Sequence, residues 1–171
     1  PGDGDGTVEA AGIPIGVATC YEVAFDRALR DAVAAGAQLL AVPTNNATFG
    51  DTEMTYQQLA MSRLRAVEHG RAVIVAATSG VSAIVEPDGR VQQSTPLFVP
   101  DALVAQVPLR AAVTLASRLG VAPELVLCAA AVAAAGFALG RGRREKAGAP
   151  ARTSTGAAGA PAGGRFDKED L

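Results

Sequence analysis

Three short apolar runs, each followed by a helical pattern or a turn, constrain this chain more than any other feature. Ile13-Pro14-Ile15-Gly16-Val17-Ala18-Thr19, Leu39-Leu40-Ala41-Val42 and Ala72-Val73-Ile74-Val75-Ala76-Ala77 are too short for buried helices and lack polar alternation. Such runs suit strands covered on both faces. Between them, residues from about Glu22 to Ala35 read as a helix with Val23, Leu29 and Val33 on its apolar face and Gly36 as its stop. A second helix is expected from about Thr55 to His69, with Met54, Leu59, Met61, Leu64 and Val67 as its main apolar residues. Arg63, Arg65 and Arg71 decorate it. Ser82–Glu86 and Arg90–Gln93 flank Pro87-Asp88-Gly89, a hairpin signal, and Leu103–Leu109 gives one more expected strand. The order β-α-β-α-β followed by a hairpin indicates an α/β layered domain. Pro1–Thr7 is a turn-rich loop.

Composition changes abruptly after Arg118. Residues 119–140 carry one charge, Glu124, and are otherwise apolar or small. As a helix these 22 residues would extend roughly 33 Å, enough to cross a hydrocarbon core. A buried core helix is the competing reading. The flank Arg141-Gly142-Arg143-Arg144-Glu145-Lys146 favours a membrane span with a cytoplasmic basic end, which places the α/β domain outside the cytoplasm. Residues 147–171 are rich in Ala, Gly, Pro and Ser and read as a disordered tail. The expected divisions are therefore an α/β domain over 1–112, a transmembrane helix over 119–140, and a basic flank with tail over 141–171. The chain starts at Pro1, and it is read as a fragment whose N-terminal part is missing.

The formal net charge of −2 argues against a nucleic-acid partner through bulk electrostatics. Of the two cysteines, Cys128 lies inside the apolar segment, so no disulfide with Cys20 is expected. Cys20 ends the first strand just where a helical pattern opens, and unpaired N–H groups at a helix start favour thiolate over thiol. The bland alternative is a small packed residue. A cysteine nucleophile in such a site would carry covalent acyl chemistry, and would need a base and donors for the oxyanion. Glu22 could orient groups in the site or serve as an ordinary first-turn carboxylate. Tyr21 could line a pocket or join the core. His69, the only histidine, falls at a helix end where a cation suits the dipole, and it is not expected to act on Cys20. No Cys/His metal spacing, phosphate-binding glycine loop or GxSxG elbow is present, and no cofactor is expected.

Gly16-Val17-Ala18-Thr19-Cys20-Tyr21-Glu22 resembles the nucleophile segment of the nitrilase, or carbon–nitrogen hydrolase, superfamily. Thr44–Gly50, Gln57–Arg71, Ala77–Ala83, Pro87-Asp88-Gly89 and Val107–Arg110 are similar to one branch of it, the apolipoprotein N-acyltransferases of bacterial membranes. The resemblance covers roughly residues 1–140. Thr48 stands where that branch usually has tryptophan before Phe-Gly, and the form TNNATFG looks like an actinobacterial variant. The resemblance implies a partial α-β-β-α sandwich set on a membrane bundle. It also implies a Glu–Lys–Cys triad, of which only Cys20 can be placed here, with Tyr21 and Glu22 as supporting or pocket residues. The Glu and Lys should precede Pro1, so the 171 residues alone are expected to be inactive. The implied partners are a phospholipid acyl donor, a diacylglyceryl-modified apolipoprotein acceptor and the bilayer of the cell membrane. The alternative is a nitrilase-type amidase that hydrolyses small amides through an acyl-cysteine.

Overall fold

In the computed structural model of this chain, residues 4–147 are described. They divide into a unit ending at Leu125 and a second unit beginning at Val126. The first unit holds a six-stranded mixed sheet in sequence order, built from β1 (Thr7–Ala10), β2 (Ile13–Val17), β3 (Leu39–Thr44), β4 (Val73–Ala77), β5 (Ala83–Val85) and β6 (Val91–Ser94). β2, β3 and β4 run parallel, and the remaining neighbours pair antiparallel. The parallel pairs are joined by crossovers through α1 (Asp26–Ala34) and α2 (Met54–His69), as parallel pairing requires. A short α3 (Leu115–Leu119) and α4 (Ala122–Ala147) follow.

Strand alternation divides the sheet cleanly. Leu40, Val42, Val73, Val75, Ala83 and Val85 pack under Leu29, Ala32, Val33 and Ala66 to form the core between the sheet and the two helices. Gly16 belongs to this face, and a Cβ there would lie 2.9 Å from both Ala32 Cβ and Leu40 Cδ2, so α1 can seat on β2 only over a glycine. On the opposite face, Ile13, Ile15, Val17, Ala41 and Ile74 are only half-buried.

β1 is absent from the sequence expectation. It joins β2 through Ala11 and Gly12, both at positive φ (52° and 76°), the backbone of a tight hairpin turn. The strand expected at Leu103–Leu109 is corrected, because that segment makes no ladder. It runs as an irregular chain, with Leu103, Ala105 and Val107 lining a groove beside Ile74 and Ile84.

Of the main apolar residues of α2, Leu59 and Met61 pack against the core, but most of what the helix buries is polar. Its buried stripe is Thr55, Gln58, Ser62, Arg65, Ala66 and His69, whereas Met54, Leu64 and Val67 are exposed. The spacing is helical, yet the stripe is mostly polar because it faces loop carbonyls and polar side chains at the strand ends. Nor do the arginines merely decorate the surface. Arg63 Nε donates to Gly89 O in the hairpin turn (2.7 Å), and Arg65 and Arg71 are buried. Arg71 donates to Ala37 O, His69 O and Ala112 O, which spreads its charge over three carbonyls.

The expectation of a transmembrane helix over 119–140 is corrected in bounds and reach. Leu119 ends α3, Gly120 turns the chain at φ +51°, and α4 begins at Ala122. Among the described residues no helix is long and apolar enough to cross a membrane. Pro123 and Glu124 occupy the first turn, so the uncharged stretch runs only over 125–140, and it is rich in alanine. Those sixteen residues extend about 24 Å as a helix, against a hydrocarbon core of about 30 Å. The helix continues through Ala147 into the basic flank, and the tail from residue 148 lies outside the described residues.

Candidate active site

The carboxyl ends of the three parallel strands converge on one edge of the sheet, where α/β proteins place their ligands. β2 leads through Ala18 and Thr19 into a 3-10 turn, Cys20–Ala24, which precedes α1. β3 leads into Asn45 and Asn46, and β4 into Thr78. Ala18 N–H donates to Ala41 O (3.1 Å) and Thr78 N–H to Thr44 O (3.1 Å), so the three strand ends are tied together beyond the ladder.

Cys20 has φ +53°, a left-handed conformation that costs an ordinary residue about 1 kcal/mol or more. The turn presents its partly buried sulfur to two neighbouring elements. Gln58 Nε2, from α2, lies 3.8 Å from Sγ. The thiol pKa is held below its ordinary value chiefly by hydrogen bonding from the Thr44 hydroxyl. Gln58 and the backbone N–H groups of Tyr21 and Asn45 add to that, while burial opposes it. Cys20 was expected to draw its acidity from a helix start. In fact α1 begins six residues later, and directed hydrogen bonds from two other elements do most of the work.

Those donors are themselves fixed by a buried network. Thr44 Oγ1 lies 2.6 Å from Asn46 Oδ1 and 3.2 Å from Gln58 Oε1, which leaves the Gln58 amide nitrogen facing the sulfur. Asn46 Nδ2 donates to Thr55 Oγ1 (3.3 Å), and Thr44, Asn46, Thr55 and Gln58 are all buried. A Cβ on Gly80 would meet the Asn46 side chain at 2.5–3.0 Å, so the loop after β4 closes tightly over this network. Sequence reasoning missed Thr44, Asn46 and Gln58. The available signal was polar residues recurring at helical spacing in α2, opposite a polar strand end. Replacing Thr44 with valine keeps shape and removes the hydroxyl. Alkylation of Cys20 at neutral pH should then slow by roughly tenfold through a raised thiol pKa, with the high-pH plateau unchanged. A pH–rate profile that superimposes on wild type would contradict this role for the hydroxyl.

Glu22 turns back on the chain. Its Oε2 accepts from Thr19 N–H at 2.7 Å, closing the start of the turn. Tyr21 is half exposed and meets Phe25 edge to face, with centroids 6.4 Å apart. Thr48, exposed in a second 3-10 turn (Ala47–Phe49), buries nothing.

His69 lies eleven residues after Gln58 on α2, about 16 Å along the helix from the donor that touches Cys20. It is fully buried. Nδ1 pairs with Ser117 Oγ at 2.8 Å, while Nε2 has no hydrogen-bond partner and lies 3.9 Å from Glu68 Oε2. Burial pushes its pKa below 6.5, Arg65 and Arg71 push the same way, and Glu68 and Asp26 oppose them. A lowered folded-state pKa means that the unfolded chain takes up the proton first. The stability His69 contributes is therefore complete above pH 6.5 and is lost as pH falls below it. His69→Gln should flatten the fall in urea midpoint between pH 7.5 and 5.5 while leaving turnover nearly intact. An unchanged pH slope would refute the first expectation, and lost turnover the second. Among the described residues no group of three or more His, Cys, Asp and Glu could hold a metal.

Residues 1–116 match the carbon-nitrogen hydrolase family. Over 133 residues, 78% of this chain, the sequence is 53% identical to an apolipoprotein N-acyltransferase of Mycolicibacterium smegmatis, and covers 22% of that protein. It is 36% identical to the apolipoprotein N-acyltransferase of Shewanella oneidensis over 72% of this chain and 24% of that one. The chain thus spans about a quarter of the length of these curated relatives. An amidase from Nesterenkonia sp. aligns in structure over 53% of this chain and 36% of its own, with 29% identity and a TM-score of 0.44.

Proposed function

Since the chain belongs to the carbon-nitrogen hydrolase family, we propose that Cys20 is the nucleophile of an acyl transfer carried out by the full-length protein. The observation that carries this reading is a cysteine held at φ +53° at the carboxyl edge of the sheet, with Gln58 Nε2 3.8 Å from its sulfur and a thiol pKa below its ordinary value. A lowered thiol pKa raises the fraction of nucleophilic thiolate available for attack.

The proposed donor is a phospholipid and the proposed acceptor is the α-amino group of a lipoprotein's diacylglyceryl-cysteine. The thiolate attacks the ester carbonyl, the C–O bond breaks, and lysophospholipid leaves with a proton. The amine then attacks the thioester carbonyl, the C–S bond breaks, and a base takes the amine proton as the thiolate returns. N–H groups converging near Sγ are suited to the oxyanion of both steps. The general-base glutamate and oxyanion-stabilising lysine implied by the family resemblance would come from elsewhere in the full-length protein. The two lysines of this chain, Lys146 and Lys168, both fall at its C-terminal end. Glu22 would brace the turn, and Tyr21 would line the acyl pocket.

Two features favour lipid substrates over small amides. The 53% identity is to a protein named apolipoprotein N-acyltransferase. In α4, Leu125, Val126, Leu127, Val132 and Phe137 are all exposed, an apolar surface with no polar face that calls for lipid or other helices as cover. We place α4 at the cell membrane and the α/β domain on its extracytoplasmic side. The half-buried sheet face would meet a second sheet of the full-length protein, completing the sandwich.

The test supplies full-length protein in phospholipid micelles with a diacylglyceryl-cysteinyl peptide. Acylation of the free α-amino group, and none of an N-acetylated peptide, is the expected result. Hydrolysis of small amides without peptide acylation would overturn it in favour of the amidase alternative.

A further inference from the structure

Arg65 is enclosed, its side chain only 7% exposed, and its guanidinium does not face solvent or a ligand. Nε donates to Val23 O at 2.9 Å, and Nη2 donates to Ala24 O at 2.9 Å and to Asp26 Oδ1 at 2.6 Å. Nη1 pairs with Glu68 Oε2. Val23 and Ala24 are the last residues of the 3-10 turn that Cys20 opens. Within that turn Glu22 N–H takes Thr19 O and Phe25 N–H takes Glu22 O, and Arg65 takes up the two carbonyls at its end.

A five-residue turn with its first residue in the left-handed region does not hold itself. Its start is closed by Thr19 and Glu22, and its end by Arg65. The same α2 that carries Arg65 carries Gln58, two turns earlier and about 10 Å away along the axis. The 3-10 turn itself extends about 8 Å from Cys20 to Ala24. One rigid helix therefore contacts the turn at both ends, at the sulfur through Gln58 and at the closing carbonyls through Arg65.

We propose that Arg65 is a positioning residue of the reaction: by gripping the Val23 and Ala24 carbonyls from α2, it fixes the turn so that Cys20 Sγ stays against Gln58 and Thr44. A planar fork of N–H donors is required, because two carbonyls and two carboxylates must be met at once. A lysine ammonium supplies charge without that geometry. This role rests on Cys20 being the nucleophile.

The test compares wild type, Arg65→Lys and Val85→Ala in the full-length protein. The readouts are melting temperature, the pH profile of iodoacetamide alkylation measured on the peptide carrying Cys20, and kcat and KM for acyl transfer. Val85 is a core residue away from the turn, so Val85→Ala lowers stability alone. Arg65→Lys is expected to slow Cys20 alkylation at pH 7 by about five- to tenfold by shifting the profile to higher pH, and to lower kcat with KM little changed. Asp26→Asn, which leaves both carbonyl bonds in place, should fold if Arg65→Lys does not and should shift the profile in the same direction by less. A profile that stays on wild type in whichever of the two variants folds, while stability falls as in Val85→Ala, would overturn the proposal. If no acyl transfer occurs in wild type, the functional reading fails, yet the alkylation profile still decides whether Arg65 positions the sulfur.

Discussion

Cys20→Ala is expected to abolish the acyl-enzyme and to lower acyl transfer by on the order of 10³-fold or more, because no other group can form the covalent intermediate. Neither folding nor membrane recovery should change. The substitution deletes one partly buried sulfur and leaves the bonds that hold the turn, from Thr19 to Glu22 and from Arg65 to Val23 and Ala24, untouched. Gln58 Nε2 loses the sulfur as its acceptor, while Gln58 Oε1 keeps its bond to the Thr44 hydroxyl. Acyl transfer at the wild-type rate in Cys20→Ala would move the chemistry to another residue.

Gly16→Val should cost the most stability. The side chain at position 16 points between α1 and the sheet, and even a methyl group there would approach Ala32 Cβ and Leu40 Cδ2 to 2.9 Å and Ala37 Cβ to 3.2 Å. These neighbours sit on α1, on β3 and at the entry to β3, so relief requires lifting the helix from β2, the strand that leads to Cys20. Overpacking of this kind costs typically 1–3 kcal/mol, and a branched residue at a backbone-close site belongs at about 3 kcal/mol. Urea unfolding of Gly16→Ala and Gly16→Val should show a graded loss. A Gly16→Val midpoint equal to wild type would show that α1 is not seated as described.

Much of the layered fold can be read from the chain because its strands and crossovers obey simple periodicities. The runs at 13–19, 39–42 and 72–77 became β2, β3 and β4, α2 lies where expected, α1 begins at Asp26 after a 3-10 turn rather than at Glu22, and Gly36 at φ +102° and Gly70 at φ +61° end the two helices. Cys20 stood out through its junction, but the physical source of its acidity did not. Thr44 and Gln58 are 24 and 38 residues further along, and nothing local marks two polar residues as converging on one sulfur. The inward face of α2 is hidden in the sequence for a related reason. Residue type alone does not mark Arg65 and Gln58 as inward, yet this helix buries them because it must satisfy a strained turn and a polar strand end. β1 escaped notice because Ala11 takes a left-handed φ that the sequence does not advertise as Asn or Gly would. The segment 103–109 alternates like a strand but finds no ladder partner, and alternation alone cannot supply one. Over 119–140, the break at Gly120 and the first turn with Pro123 and Glu124 leave an uncharged helical stretch of only 125–140, shorter than the run of apolar and small residues suggests.

The measurement that bears most directly on the account is mass spectrometry of the Cys20 peptide after the full-length protein has been incubated with phospholipid and no acceptor. A fatty-acyl mass on Cys20, released by hydroxylamine and absent in Cys20→Ala, is the predicted result. An unmodified Cys20 peptide from protein that nevertheless acylates a diacylglyceryl-cysteinyl peptide would contradict the central claim.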